Sequence, residues 1–184
     1  MQMQIFRKVV LGLMVLGLTL GTLAIFGCGE DDNNEVQKSA DLEVANERPP
    51  ISQSASGSGT AHLTISDDGS EVTFILTYTG LTNVTQAHIH VVNSSELAGP
   101  VSVFYCTNIG GAPAGTIGGQ ACPTSAGTVA GTWHALDLIP RDQTPTSPAA
   151  LTFQDFVNLL ESGNTYSNVH TQANPGGQIR GTNQ

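Results

Sequence analysis

The chain has five histidines, and two of them stand two residues apart in Ala87-His88-Ile89-His90-Val91. A third recurs far downstream in Tyr166-Ser167-Asn168-Val169-His170-Thr171. In an extended strand successive side chains point to opposite faces, so His88 and His90 share one face and Ala87, Ile89 and Val91 the other. Their backbones are then roughly 6 to 7 Å apart. If the strand carrying His170 runs alongside, three nitrogen donors converge, and imidazole sets of this kind hold copper or zinc. Three ligands without a fourth leave a coordination position open, which suits reversible binding more than a closed structural site. Asn168 shares the face of His170 and Tyr166 and is placed to orient a ligand imidazole as a supporting partner. His134, beside Trp133, is the candidate fourth ligand. His62 has no partner at a recognisable spacing and reads as a surface or packing residue. The alternative for the three central histidines is structural, with rings hydrogen-bonded to backbone carbonyls, to Asn168 or to one another across neighbouring strands.

Such a site needs strands to hold it, and residues 60–184 are the stretch able to build a core, of a length that suits one domain. Residues 60–66 and 71–79 are rich in threonine and branched or aromatic residues, and Asp67-Asp68-Gly69-Ser70 between them is a turn signal, which predicts an antiparallel hairpin. In its second strand Val72, Phe74, Leu76 and Tyr78 fall on one face, with Thr73, Thr77 and Thr79 opposite and Ile75 breaking the alternation. Residues 84–92 form the histidine strand, and 100–107 and 127–138 continue the pattern. Thr152, followed three residues later by Asp155, has the form of a capping box, and Phe153, Phe156, Val157 and Leu160 recur at helical spacing. One helix is therefore expected, stopping at Gly163. Residues 164–171 return to strand, Asn174-Pro175-Gly176-Gly177 turns, and 178–182 closes the sheet. Short strands in this number with one helical connection predict an all-β sandwich or barrel.

The amino terminus reads as an address. Arg7 and Lys8 precede an apolar run that ends at Gly27-Cys28, the form of an export signal over 1–27. The stretch Ile25-Phe26-Gly27-Cys28 resembles the lipobox of bacterial lipoproteins, which implies lipid modification of Cys28 and a membrane tether through acyl chains. An uncleaved membrane anchor is the other reading of the run. Gly29 after the cysteine favours an outer-membrane or cell-surface destination. Residues 28–59 carry seven acids (Glu30, Asp31, Asp32, Glu35, Asp41, Glu43 and Glu47) with a Pro49-Pro50 pair and a serine-glycine tail, and read as a flexible acidic tether. A partner-binding acidic segment is the functional alternative.

Beyond the signal the chain has 15 acids against four bases (Lys38, Arg48, Arg141 and Arg180), a net charge near −11. Nucleic acid is disfavoured as a partner, because phosphate binding needs basic clusters. Arg180, in the closing strand, reads as one half of an ion pair that holds that strand in register. With Cys28 assigned to lipid, Cys106 and Cys122 remain, an even pair in an oxidising compartment, and a disulfide between them is worth roughly 3 kcal/mol by loop closure. The sharper alternative makes Cys106 a thiolate ligand beside histidines, as at blue copper sites.

The order of the motifs His88-Ile89-His90, Gly99-Pro100-Val101, the helical segment 151–163, and Asn168-Val169-His170-Thr171 followed by Pro175-Gly176-Gly177-Gln178-Ile179-Arg180-Gly181 resembles the CHRD domain. That domain is named from chordin and is widespread in exported bacterial proteins, and the resemblance covers nearly all of 60–184. It implies an immunoglobulin-like antiparallel β-sandwich or barrel with one short helix, through limited similarity to copper/zinc superoxide dismutase. The chordin context implies binding of other proteins.

These readings describe an exported, lipid-anchored domain whose histidine patch (His88, His90, His170, with His134 as a further candidate) binds copper or zinc at the cell envelope. The competing class is a metal-free module in which the same histidines brace the sheet and loops bind an envelope or extracellular protein or a glycan. A superoxide dismutase-like enzyme is the remote third reading. Dismutation takes four histidines on copper, one bridging to zinc, and zinc then needs further histidines and an aspartate, more than five histidines supply. No acid, base and nucleophile set assembles from the spacing, so no catalytic residue is named.

Overall fold

The computed structural model describes residues 34–52, 54–92, 99–140 and 151–184. The export signal read at 1–27, the lipidation residue Cys28 and Arg141 lie outside the described residues. In chain order the elements are β1 (Val36–Glu43), β2 (Ser58–Ile65), β3 (Val72–Thr79), β4 (Val84–Val91), β5 (Val101–Thr107), β6 (Gly127–Trp133), α1 (Phe153–Glu161), β7 (Thr165–Thr171) and β8 (Ile179–Thr182).

Period-two alternation builds the strands. Along β3, Val72, Phe74, Leu76 and Tyr78 are buried while Thr73, Ile75, Thr77 and Thr79 are exposed, so Ile75 is an apolar residue on the wet face. The expected hairpin forms with β2 in unbroken register from Ser58 opposite Thr79 to Ile65 opposite Val72. On the outer face Thr73 and Thr77 each meet a threonine of β6 through their hydroxyls, Thr132 at 3.1 Å and Thr128 at 2.9 Å. Such cross-strand pairs each add a few tenths of a kcal/mol, about 0.2 to 1.

All eight strands join one antiparallel sheet in the order β5-β4-β7-β8-β1-β2-β3-β6. The two end strands come together and the sheet nearly closes into a barrel. Trp133 at the end of β6 donates its indole N–H to the Phe104 carbonyl of β5 at 2.8 Å, and the Gln120 amide spans the same seam to the carbonyls of Tyr105 and Ala130. The Cys106–Cys122 disulfide ties the segment carrying Gln120 to β5. That bond removes Cys106 from the list of metal ligands. Inside, Phe74 stacks on Trp133 at 4.2 Å, Tyr105 meets Phe74 edge-on at 5.1 Å, and Phe156 of α1 reaches Trp133. The helix begins at the expected cap, with Thr152 Oγ1 accepting from Asp155 N and Asp155 Oδ2 accepting from Thr152 N, and Phe156, Val157 and Leu160 enter the core.

Two expectations are corrected. Residues 36–43, read as part of a flexible acidic tether spanning 28–59, are β1, paired over its whole length with β2 and touching β8 at Glu43 opposite Arg180. Ala40 and Leu42 are buried while Asp41 and Glu43 are exposed, so the acids fall at period two and occupy the outer face. Composition summed over both faces hid a strand whose partners supply its stability. The folded domain therefore begins at least as early as Val36 rather than at Thr60. The strand expected over 127–138 ends at Trp133, where Ala135–Asp137 forms a single 3-10 turn. Asp137 terminates the strand by accepting from His134 N at 2.8 Å and from Ile117 N at 3.1 Å.

Candidate metal centre

β7 lies between β4 and β8, and all seven of its residues are buried, so it is covered on both faces. Its inner face is a polar chain: the Tyr105 and Ser167 hydroxyls lie 2.7 Å apart, and Ser167 donates to Asn183 at 2.7 Å. The outer face holds the candidate chemistry. The β4–β7 register sets Gln86 opposite His170, His88 opposite Asn168 and His90 opposite Tyr166. Irregularities in the β4–β5 pairing, on either side of His88 and Ile89, set Phe104 against His88 with its ring edge-on at 4.4 Å.

His88, His90 and His170 come together as expected, and their ligand nitrogens lie within 4.8 Å of one another. Each imidazole is buried, with 3%, 9% and 7% exposure in that order. Each also spends one ring nitrogen on an acceptor. His90 Nδ1–H donates to the Gly99 carbonyl at 2.9 Å and His170 Nδ1–H to the Pro175 carbonyl at 3.0 Å, which leaves the lone pair on Nε2 in both. His88 is set by a relay: Gln86 Nε2 donates to the Gly110 carbonyl, so its Oε1 faces the ring and takes the Nε2–H of His88 at 3.0 Å. His88 therefore carries its lone pair on Nδ1. These three nitrogens, His88 Nδ1, His90 Nε2 and His170 Nε2, are the buried ring nitrogens without a hydrogen-bond partner among the described residues.

Burial disfavours the charged form of all three rings. It lowers His88 to about 2, helped by the proximity of His170 and His90, and lowers His90 to about 4, against the pull of its bond to Gly99. His170 is lowered for the same reason, opposed by its bond to Pro175. A neutral imidazole with a fixed N–H and a free lone pair is the metal-binding form, and the fixed N–H is the usual way a ligand ring is oriented.

The walls are aromatic and charged. Tyr166 stacks parallel on His90 at 4.8 Å, and the Arg180 guanidinium lies over the Tyr166 ring at 3.5 Å, an arrangement that supports both rings by cation–π attraction. The Tyr166 hydroxyl accepts from Gly99 N at 3.3 Å, so the residue that stacks on His90 also holds the glycine whose carbonyl fixes it.

The sequence profile of the CHRD domain matches residues 38–182. The chain belongs to the CHRD domain family. No curated protein and no solved structure matches it. The match opens inside β1, in keeping with a CHRD domain that starts before Thr60.

Within this CHRD domain the remaining candidates fall elsewhere. His134 is not beside the cluster: it follows β6, its side chain is 58% exposed, and its Nδ1 lies 3.9 Å from Glu71. A strand turned by Asp137 after Trp133 cannot carry it to the β4–β7 face. His62 is exposed on β2, opposite Ile75. Asn168 does stand on the histidine face, yet its amide N–H donates to Glu47 Oε2 at 3.4 Å rather than to a ring. The partners that orient the imidazoles are Gln86 and two backbone carbonyls. Period two from His88 points to Gln86, but no side-chain pattern marks the carbonyls of Gly99 and Pro175. Glu47 was also missed as a site residue. It is 2% exposed, and burial raises its carboxyl to about 7 against the lowering effects of Asn168, Arg180 and Arg48.

Proposed function

We propose that His88, His90 and His170 bind one transition-metal ion, copper or zinc, and that the domain acts in metal binding or recognition at the cell envelope. The observation that carries this reading is the trio of buried, unpartnered ring nitrogens, each on an imidazole whose other nitrogen is already committed. A buried polar atom left without a partner costs about 1 to 3 kcal/mol. Three on one face are an expense that a shared cation removes. Nitrogens sharing one ion with bonds near 2 Å lie roughly 3.3 to 4 Å apart, so a gap of up to 4.8 Å closes by about 1.5 Å or less. An all-imidazole set suits copper and zinc better than calcium or magnesium, which take oxygen ligands.

The setting we propose is a lipoprotein exported by the signal at 1–27 and tethered through Cys28 to the outer membrane or cell surface, where an envelope or extracellular protein is the natural macromolecular partner. The Cys106–Cys122 disulfide supports an oxidising compartment. Metal analysis of the purified domain after exposure to micromolar copper or zinc tests the central claim. About one equivalent bound, lost in His88→Ala and His90→Ala variants that remain folded, is the expected result. Less than about a tenth of an equivalent would leave the bracing role of a metal-free binding module as the better reading.

A further inference from the structure

The same face holds two more buried acceptors without a donor, Glu47 Oε1 and Asn168 Oδ1. They converge on one spot. A Cβ built on Gly177 would meet Asn168 Oδ1 at 2.5 Å, Asn168 Nδ2 at 2.6 Å and Glu47 Oε1 at 2.8 Å, so a glycine there leaves the acid and the amide room to face each other. The amide already donates to the other carboxyl oxygen, Glu47 Oε2. An acid and an amide meeting in this way satisfy each other when the acid carries its proton: N–H goes to one carboxyl oxygen and the carboxyl O–H returns to the amide oxygen. Two bare acceptors facing each other in a buried place repel instead.

We infer that Glu47 and Asn168 share one proton in the metal-free protein, and that a divalent ion on the three histidines expels it, making Glu47 the counter-charge of the metal centre. This rests on the metal reading above. The physical reason is charge balance. Three neutral imidazoles bring no negative charge to a divalent ion, and the arginine on this face, Arg180 over Tyr166, adds positive charge. The charged and titratable groups around Glu47 are Arg180 from β8, Tyr166 from β7 and Arg48, whose guanidinium bonds the carbonyls of Ala45 and Glu47. Asn168 joins Glu47 to the site, being opposite His88 in register and two residues from His170. A cavity of about 180 Å³, lined by Glu47, Arg48, Pro49, Pro175 and Gly177 among others, gives the leaving proton a path to solvent. The balance is simple: one metal ion enters, one proton leaves Glu47 for solvent, and no bond to the metal changes on its account. Burial that raises the Glu47 carboxyl to about 7 is consistent with a proton held near neutral pH.

The test is zinc titration calorimetry of the metal-free domain in buffers of contrasting ionisation enthalpy, which counts protons released. At pH 6, where His88 and His90 are already neutral, wild type should release about one more proton per zinc than Glu47→Gln. Release by wild type should fall as pH rises past about 7, and its apparent affinity should climb by up to about tenfold per pH unit below that point, a slope the variant lacks. Ionisation of a zinc-bound water gives the opposite trend, release that grows with pH and survives in Glu47→Gln, and finding that alone would overturn the inference. A readout free of metal is the infrared band of a protonated carboxyl in the metal-free protein at pH 6, expected in wild type and missing from the variant; its absence from wild type also overturns the inference. Should the variant fail to fold, the wild-type proton count and infrared band still decide. Zinc uptake without proton release refutes this proposal alone, whereas no uptake by either protein refutes the metal reading and this proposal with it.

Discussion

His88 is oriented by a side chain and its two companions by backbone, and this difference can be measured. The Gln86 relay predicts that His88 is protonated on Nε2, while His90 and His170 are protonated on Nδ1. Long-range proton–nitrogen NMR of the metal-free domain distinguishes the two tautomers, and a single tautomer common to all three rings would contradict the mixed donor set. Gln86→Leu removes the acceptor that holds His88 without touching a ligand, and changes of this kind cost about 10- to 100-fold in metal affinity. The loss should show in competition with a chelator, together with a destabilisation of the metal-free domain of about 1 to 3 kcal/mol, because the buried N–H of His88 loses its acceptor. How far the residue scale was legible follows from the same contacts. His88, His90 and Gln86 share a face by simple alternation, whereas the place of His170 depends on its strand pairing with β4, which local pattern leaves open and the fold supplies. His134 was grouped with them on residue type, and the turn made by Asp137 sends it elsewhere. Glu47 gave no local signal, because its partner Asn168 is 121 residues away in sequence.

At the scale of elements, the hairpin of β2 and β3, the histidine strand and the capped helix could be read because each carries its own pattern. β1 could not, because its pattern is diluted by charge. Its fold depends on Leu42, fully buried, and Ala40, nearly so, while Asp41 and Glu43 remain in solvent. Leu42→Ala should therefore cost about 2 to 5 kcal/mol of stability. Asp41→Ala, on the same strand, should fall within about 0.5 kcal/mol of wild type. Denaturant midpoints of the two variants check this, and equal small effects would mean that β1 is not part of the cooperative fold. The strand also matters to the site, since the chain that leaves it runs through the 3-10 turn Val44–Asn46 directly to Glu47. A tether that was truly flexible could not hold a carboxyl at 2% exposure against Asn168. Closure of the sheet was less legible than its strands, because the seam between β5 and β6 is made by Trp133, Gln120 and a disulfide rather than by a ladder.

For the whole molecule, the same buried groups make stability depend on pH in two opposed ways, and the signs can be worked out. The histidines are lowered in the folded protein, so the unfolded chain takes up protons that the folded one refuses. Their contribution is fully present above about 6.5, falls away as pH drops below it, and goes on falling through about 4 for His90 and toward 2 for His88. Glu47 is raised, so the folded state holds its proton the longer. Its contribution is present below the ordinary value of 4.5 and is lost as pH rises through about 7. Three groups act in the acid direction against one in the other, so the metal-free domain should be most stable near neutral pH and weaken markedly between pH 6 and pH 4. Glu47→Gln should remove the opposing contribution, which acts between about pH 4.5 and 7, and so make the fall on acidification from pH 6 toward pH 4.5 steeper than in wild type. Metal acts on the same balance, because an ion that binds only the folded state adds about 2.7 kcal/mol at a free concentration one hundred times its dissociation constant. Competition from protons on the ligand rings should make that gain shrink as the solution is acidified. Denaturant unfolding across the pH range, with chelator and with zinc, reads both effects. If the chelator-treated domain were more stable at pH 4.5 than at pH 7, the neutral, desolvated imidazoles on which the site depends would not be present in the folded protein.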